Sequence, residues 1–385
     1  GIRGETPCTR PFPSCPIKEP PMIRRLTASA VLLLVLAGCG REAESPEPEP
    51  TPAPTPAVVR DFAPTPSPTL QAVRRRGHVM CGVHAGLAGF AVRDVRGVWR
   101  GFDVDICRAV AAAVLGDADA VRYRAVSAQN RFAELQDGSV DVLSRNTSWT
   151  LSRDAGLGLD FAGVTYYDGQ GFMAPRSLNL TSADELTGAR ICVQAGTATE
   201  TNLSDYFRAR GLEFTPVILD DEAEARTAYE AEACDVFTAD VSALASARSL
   251  MSNPNAHVIL PTVISKEPRG PAVRQDDPAW TDIVRWTVNA LIVAEELGVN
   301  STTAEASRET ASDPDTRRLL GVEGDLGAML GLEADWAYEA ISQVGAYNEI
   351  FRRNLGADSG LKLERGLNAL WSAPDPGLIY APPVR

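Results

Sequence analysis

The sequence predicts an α/β body of two lobes built on mostly parallel sheets, and three observations carry that expectation. Strand candidates "HVMCGV" (78–83), "AVRYRAV" (120–126) and "VDVLS" (140–144) are separated by helical stretches, the βαβ pattern of an open sheet. The alternation restarts with "ARICVQ" (189–194), "EFTPVIL" (213–219) and "CDVFTAD" (234–240). A helix–turn–Asp–strand figure occurs once in each set, as "LQDGSVDVL" (135–143) and "YEAEACDVF" (229–237), which argues for two lobes of similar build.

In the first set a helix is expected from about Val104 to Leu115 with Gly116 as its stop, and a short one over "NRFAELQDG". The Gly- and Tyr-rich "FAGVTYYDGQGFMAP" (161–175) reads as an extended crossing. In the second set "GTATETNLSDYFRARG", "DDEAEARTAYEAE" and "VSALASARSLM" read as helices. "HVILPTVISKEPRGPAVRQDD" (257–277) is a second crossing, after which the chain is mainly helical to near Trp371. There Trp336, Ala340, Val344, Tyr347 and Phe351 recur at helical spacing, a stripe read as core packing.

The 385 residues suffice for two domains with sizeable cores. With 50 acidic against 37 basic side chains the net charge is -13, which disfavours nucleic acid or an anionic membrane surface as partner. The three His are well separated and no CxxC spacing occurs, so neither a metal site nor a cofactor is expected. From Met22, "MIRRLTASAVLLLVLAGCG" has the basic flank and short apolar run of a secretory signal peptide. Its "LAGC" looks like a bacterial lipobox, which makes Cys39 a lipidated anchor; plain cleavage nearby is the alternative.

Residues 1–21 read as upstream sequence. The Pro-rich stretch after Cys39 favours extended polyproline conformations, and roughly 30 residues at ~3.1 Å each form a tether of up to ~90 Å. The expected division is 1–38 upstream sequence and signal peptide, 39–70 anchor and tether, 71–168 first lobe, 169–265 second lobe, and 266–385 a return to the first lobe with a helical extension. Export leaves Cys81, Cys107, Cys192 and Cys234 for two disulfides, with three pairings open.

Open α/β sheets bind ligands outside the carboxyl ends of their strands. "RNTSWTLSR" (145–153), "QAGTATE" (194–200) and "TADVSA" (238–243) all lie there. A free α-amino acid wants a bidentate Arg and backbone N–H donors for its carboxylate, and a carboxylate for its ammonium. Arg153, helped by Asn146, Thr147 and Ser148, fits the first need, with Gly196 and Thr197 adding donors from the other lobe. Asp240 fits the second. Taken singly, Arg153 is also a surface residue of a first helical turn, Gly196-Thr197 a cap, and Asp240 an N-cap; their coincidence at strand ends of both lobes favours the site.

At these residues the chain resembles the extracytoplasmic amino-acid-binding proteins of ABC importers, within the family 3 solute-binding proteins, and is most similar to the branch for polar or general L-amino acids. The resemblance rests on "GFDVDICRAVAAAV" (101–114), "DVLSRNTSWTLSRD" (141–154), "VTYYDGQGFM" (164–173), "ISKEPRGPAVRQDD" (264–277), "AEELGV" (294–299), "WAYEAISQVGAYNEIFRRN" (336–354) and "RGLNALW" (365–371). It implies a type II periplasmic-binding-protein-like fold with two crossing hinge strands and a helical C-terminal extension packed on lobe 1. It further implies that Arg153, Ser148 and Asn146 hold the α-carboxylate, that Gly196 and Thr197 hold it from lobe 2, and that Asp240 takes the ammonium.

Phe90 is implied as an apolar wall. His84 and Ala198 depart from the family pattern, which bears on side-chain specificity. The disulfides implied are Cys81 with Cys107 and Cys192 with Cys234. Arg145 either pairs with an acidic ligand side chain or supports the loop. The partners implied are an L-amino acid and the permease subunits, bound by a monomer that reaches the membrane only through its lipid anchor, outside the cytoplasm. An enzyme on the same scaffold, similar to cyclohexadienyl dehydratase, is the alternative; it needs a general acid, for which His84 and Glu200 are the candidates.

Overall fold

The computed structural model describes residues 65–385; the signal peptide, Cys39 and most of the tether lie outside the described residues. The strands are β1 (Val79–Val83), β2 (Val92–Arg93), β3 (Trp99–Arg100), β4 (Val121–Ala125), β5 (Val142–Leu143), β6 (Leu159–Phe161), β7 (Tyr166–Asp168), β8 (Gln170–Pro175), β9 (Arg190–Gln194), β10 (Thr215–Leu219), β11 (Val236–Asp240), β12 (His257–Ile259), β13 (Glu267–Arg269) and β14 (Ala272–Arg274). Two five-stranded sheets result, ordered β4-β1-β5-β14-β6 and β10-β9-β11-β8-β12.

In each sheet the first three strands in that order run parallel, and the fourth is antiparallel to its neighbours. Those fourth strands, β8 and β14, each enter directly after a crossing, and the crossings pair as the antiparallel ribbon β7–β13. The hairpin β2–β3 stands apart.

Burial on both faces explains the apolar strands. On β9, Ile191 and Val193 pack with Phe172, Leu203 and Phe207, whereas Cys192 faces the opposite layer with Met173, Phe237 and Leu244. On the first sheet, Val79, Cys81 and Val83 pack against the helices Phe102–Leu115, Pro278–Glu296, Trp336–Val344 and Tyr347–Asn354, so the C-terminal helices share the core of lobe 1. The helix Phe102–Leu115 owes its length to alanines, acidic residues in its first turn, and Gly116 in the left-handed conformation at its end. Its cap Gly101 has φ 138°, and a Cβ there would meet the Phe90 carbonyl at 2.0 Å, so glycine lets the preceding loop close on the helix.

The disulfides are Cys81–Cys107, from β1 to the helix Phe102–Leu115, and Cys192–Cys234, from β9 to the loop before β11. Three expectations need correction. The stripe from Trp336 to Phe351 is buried as expected but lies on two helices, because the chain breaks at Gly345 with φ 99°. The last residues assigned to the tether, from Ser67, are folded: the Ser67 hydroxyl caps the helix Pro68–Arg76 and donates to Asp277 at 2.8 Å. Proline at a helix start is compatible with helix, so "SPTL" is a cap and not a spacer. Strand β6, Leu159–Phe161, takes Phe161 from the start of the expected crossing and pairs it in the sheet of lobe 1.

Candidate functional site

The stretch after β5 forms the lobe 1 side of a cavity between the lobes. Asn146 sits at φ 41°, a left-handed position that Asn tolerates, and its N–H donates to the buried Asp103 carboxylate at 2.9 Å. Burial pushes Asp103 up to about 6, with the Asn146 N–H and Arg269 opposing. Ser148 bridges to Arg269, and the Trp149 N–H donates to the Pro268 carbonyl at 2.7 Å, so the hinge strand fixes the loop. Thr150 caps the helix Leu151–Leu157, which carries Arg153. Arg153 donates from Nη1 to the Ser148 carbonyl at 2.9 Å and lies over the Phe132 ring at 5.5 Å, which leaves part of its fork facing the cavity.

Arg145 is buried and donates from Nε to the Val126 carbonyl at 2.9 Å, so its support of the loop is realised while it also lines the cavity. Arg131, just past β4 and 3% exposed, joins them, and its Nε is buried with no hydrogen-bond partner among the described residues. Burial first, then the Arg145 and Arg153 guanidiniums, pull Arg131 well below the ordinary Arg value. Burial also lowers Arg145, to about 10. None of the three makes a direct ion pair among the described residues, so the lobe 1 side of the cavity favours a negative ligand.

Lobe 2 answers with carboxylates and hydroxyls. Asp240 closes β11 at the N-cap position of the helix Val241–Ser249, yet its side chain caps nothing. Ser242 donates instead to Asp168, and Asp240 Oδ2 pairs with Arg269, which is 2% exposed and also binds Asp168 at 3.1 Å. Asp240 Oδ1 is left buried without a partner among the described residues. Burial pushes Asp240 up to about 7, Asp168 and Glu267 adding and Arg269 opposing. Thr197 donates to the Gln194 carbonyl at 2.7 Å and is 2.6 Å from the Thr199 hydroxyl at the start of the helix Ala198–Arg210. Glu222, at the start of the helix Glu222–Glu230, is pushed up to about 7 by burial and Asp240, with Arg145 opposing.

The cavity therefore joins Arg131, Arg145, Asn146, Ser148 and Arg153 with Thr197 and Asp240. Three expected residues are elsewhere, the first being Thr147, which is 1% exposed and donates its hydroxyl to the Arg145 carbonyl at 3.0 Å. Phe90 is 1% exposed in the core, edge-on to Phe102 and Tyr166, because its loop is pressed onto the helix at Gly101. Gly196 spends its N–H on the Glu200 carboxylate at 3.1 Å, so that donor serves the loop. His84 does line the cavity: it accepts the Gly86 N–H on Nδ1 at 3.0 Å, which leaves the proton on Nε2, 4.0 Å from Glu222. Burial and Arg145, Arg131 and Arg269 bring it down to about 3.

Sequence reasoning missed Arg131, Glu222, Glu267 and the hinge pair Asp168–Arg269. Arg131 and Glu222 follow β4 and β10, so the strand-end rule that found the others points to them as well. At the rim, Gln129 donates to the Asp220 carbonyl at 3.0 Å, lobe to lobe.

The sequence matches the bacterial extracellular solute-binding proteins, family 3, over residues 79–299. It is 53% identical over 319 residues to the general L-amino acid-binding periplasmic protein AapJ of Rhizobium johnstonii, covering 82% of this chain and 93% of that protein. It is 51% identical over 317 residues to the glutamate/glutamine/aspartate/asparagine-binding protein BztA of Rhodobacter capsulatus, covering 82% of this chain and 93% of that one. A solved ABC transporter periplasmic binding protein from Brucella ovis with glutathione bound superposes with a TM-score of 0.80 at 51% identity, covering 82% of this chain and 99% of that structure. These three relatives are named as binding proteins, which does not favour the enzyme alternative. With its two interlocked α/β lobes, the chain belongs to the bacterial extracellular solute-binding proteins of family 3.

Proposed function

We propose that the cavity binds the zwitterionic end of L-amino acids, polar, acidic or more broadly, outside the cytoplasmic membrane, and that cleft closure presents them to an ABC importer. One observation carries the site: Arg131 Nε and Asp240 Oδ1 are buried and unpartnered among the described residues, and their side chains face the same cavity from opposite lobes. Buried polar atoms are ordinarily paired, so the two orphans offer a donor to an anion and an acceptor to a cation. A molecule carrying both charges engages both lobes only when the cleft is closed, and so shifts the population to that state.

Arg153, Arg131, Asn146, Ser148 and Thr197 serve the α-carboxylate, and Asp240 the ammonium. The names of the Rhizobium and Rhodobacter relatives support amino acids as ligands. The glutathione of the Brucella relative also presents a free α-amino-acid end. The chain acts as a binder without catalysis, as a monomer held through Cys39. A Cys39→Ser variant released from membranes supports the anchor; one that stays attached removes it.

A thermal-shift panel of the common L-amino acids on the purified chain tests this reading. At a hundredfold excess over Kd, true ligands stabilise by about 2.7 kcal/mol. A panel with no shift at any concentration overturns it.

A further inference from the structure

The space between the lobes does not end at the zwitterion. Past Arg145 it opens into a chamber of about 470 Å3, against about 50 Å3 for the inner cavity, and His84, Arg145, Gln194 and Glu222 line both. The wall of the chamber is mixed, with Val126 and Leu250 beside the amide and hydroxyl of Asn130 and Ser127. Arg226 closes it, one helical turn beyond Glu222, with its half-buried side chain facing inward. Its Nε is buried and has no hydrogen-bond partner among the described residues.

We propose, resting on the reading of the inner cavity as an amino-acid site, that this chamber is a second subsite for an anionic extension of the ligand's side chain, with Arg226 as the cation for its distal carboxylate. The substrate class this describes is the γ-glutamyl peptides. The inner cavity demands an ammonium and a carboxylate on the same carbon. An α-linked peptide separates those two charges to its opposite ends, whereas a γ-linked peptide keeps the glutamyl head intact and extends only the side chain. The amides of that extension match Asn130 and Ser127, and its terminal carboxylate finds a guanidinium that nothing else engages through Nε.

The test is calorimetric titration of the full chain with S-methylglutathione, which cannot exchange with the two disulfides, with its α-linked isomer, and with L-glutamine. The γ-linked peptide should bind and the α-linked isomer should not. Arg226→Ala should weaken the γ-linked peptide about tenfold, the loss of one charge-assisted contact, while L-glutamine stays within about twofold. Ala223→Trp, a substitution at an exposed position of the same helix that fills the chamber, should abolish the peptide and spare L-glutamine. L-Glutamine binding with no heat from the γ-linked peptide, or a peptide affinity unchanged in both variants, overturns the second subsite and leaves the amino-acid site standing. Failure of L-glutamine and of the peptide together removes both readings.

Discussion

The two lobes have one topology and opposite charge. Position by position, the sheet order β4-β1-β5-β14-β6 of lobe 1 repeats as β10-β9-β11-β8-β12 in lobe 2. Past the outer parallel strand lobe 1 places Arg131 and lobe 2 places Glu222. Past the central strand lobe 1 places Arg145, with Arg153 on the helix beyond, and lobe 2 places Asp240. The duplicated scaffold thus presents cations on one wall and carboxylates on the other. Each wall keeps a buried polar atom unsatisfied, since Arg131 Nε and Asp240 Oδ1 stay orphaned among the described residues. Symmetry of fold supplies the clamp, and asymmetry of charge supplies the reason for it to close on a zwitterion.

Removing one charge from either wall is the strongest way to break this comparison. Arg153→Ala and Asp240→Asn should each weaken every L-amino acid by 2–5 kcal/mol, since each strands a buried ligand charge. Titration of both variants against the same ligands checks it, and an effect confined to one lobe would dissolve the parallel. Asp240→Asn should fold normally, because Asp168 remains to hold Arg269.

Next in size is the disulfide in each lobe. Cys81–Cys107 closes a separation of 26 residues and Cys192–Cys234 one of 42. Loop-closure entropy for such lengths is roughly 3–4 kcal/mol and depends only weakly on length. Serine pairs at the two sites should therefore lower stability to denaturant by similar amounts; a large difference would show that one lobe leans on its bridge for more than chain entropy.

A smaller effect is the proton linkage. Asp240 rests near 7 and an ammonium favours its ionised form, so amino acids should bind more weakly as pH falls below 7. Binding at pH 6 should release protons, and the release should fade by about pH 8. Glu222, also near 7, shares the cavity, so a release that persists in Asp240→Asn would belong to it. Without ligand the buried carboxylates and the buried imidazole respond oppositely. The raised carboxylates add stability as pH falls from about 7 towards their ordinary values of 3.8 and 4.5, while His84 removes it between 6.5 and about 3.

The alternation of strands and helices, the two crossings and the core stripe were legible because alternation and helical spacing are local signals. The cavity residues after β5, β9 and β11 were legible through the strand-end rule, and Arg131 and Glu222 obey the same rule unnoticed. Phe90 misled because a Gly-rich loop reads as open, while its position is set by Gly101, eleven residues on, where only a missing Cβ allows close approach. The hinge pair Asp168–Arg269 was not legible at all. Its partners are about a hundred residues apart, and nothing local tells a buried Arg from an exposed one. It matters because it takes the capping duty and one oxygen of Asp240, which leaves the other oxygen for the cleft.

The central claim is that opposite walls read the two charges of one α-amino acid, and calorimetric titration of the full chain with L-glutamine, N-acetyl-L-glutamine and L-glutamine α-amide tests it most directly. Binding of L-glutamine alone, with both single-charge analogues silent, is the result expected. Either analogue binding as tightly as L-glutamine would contradict it.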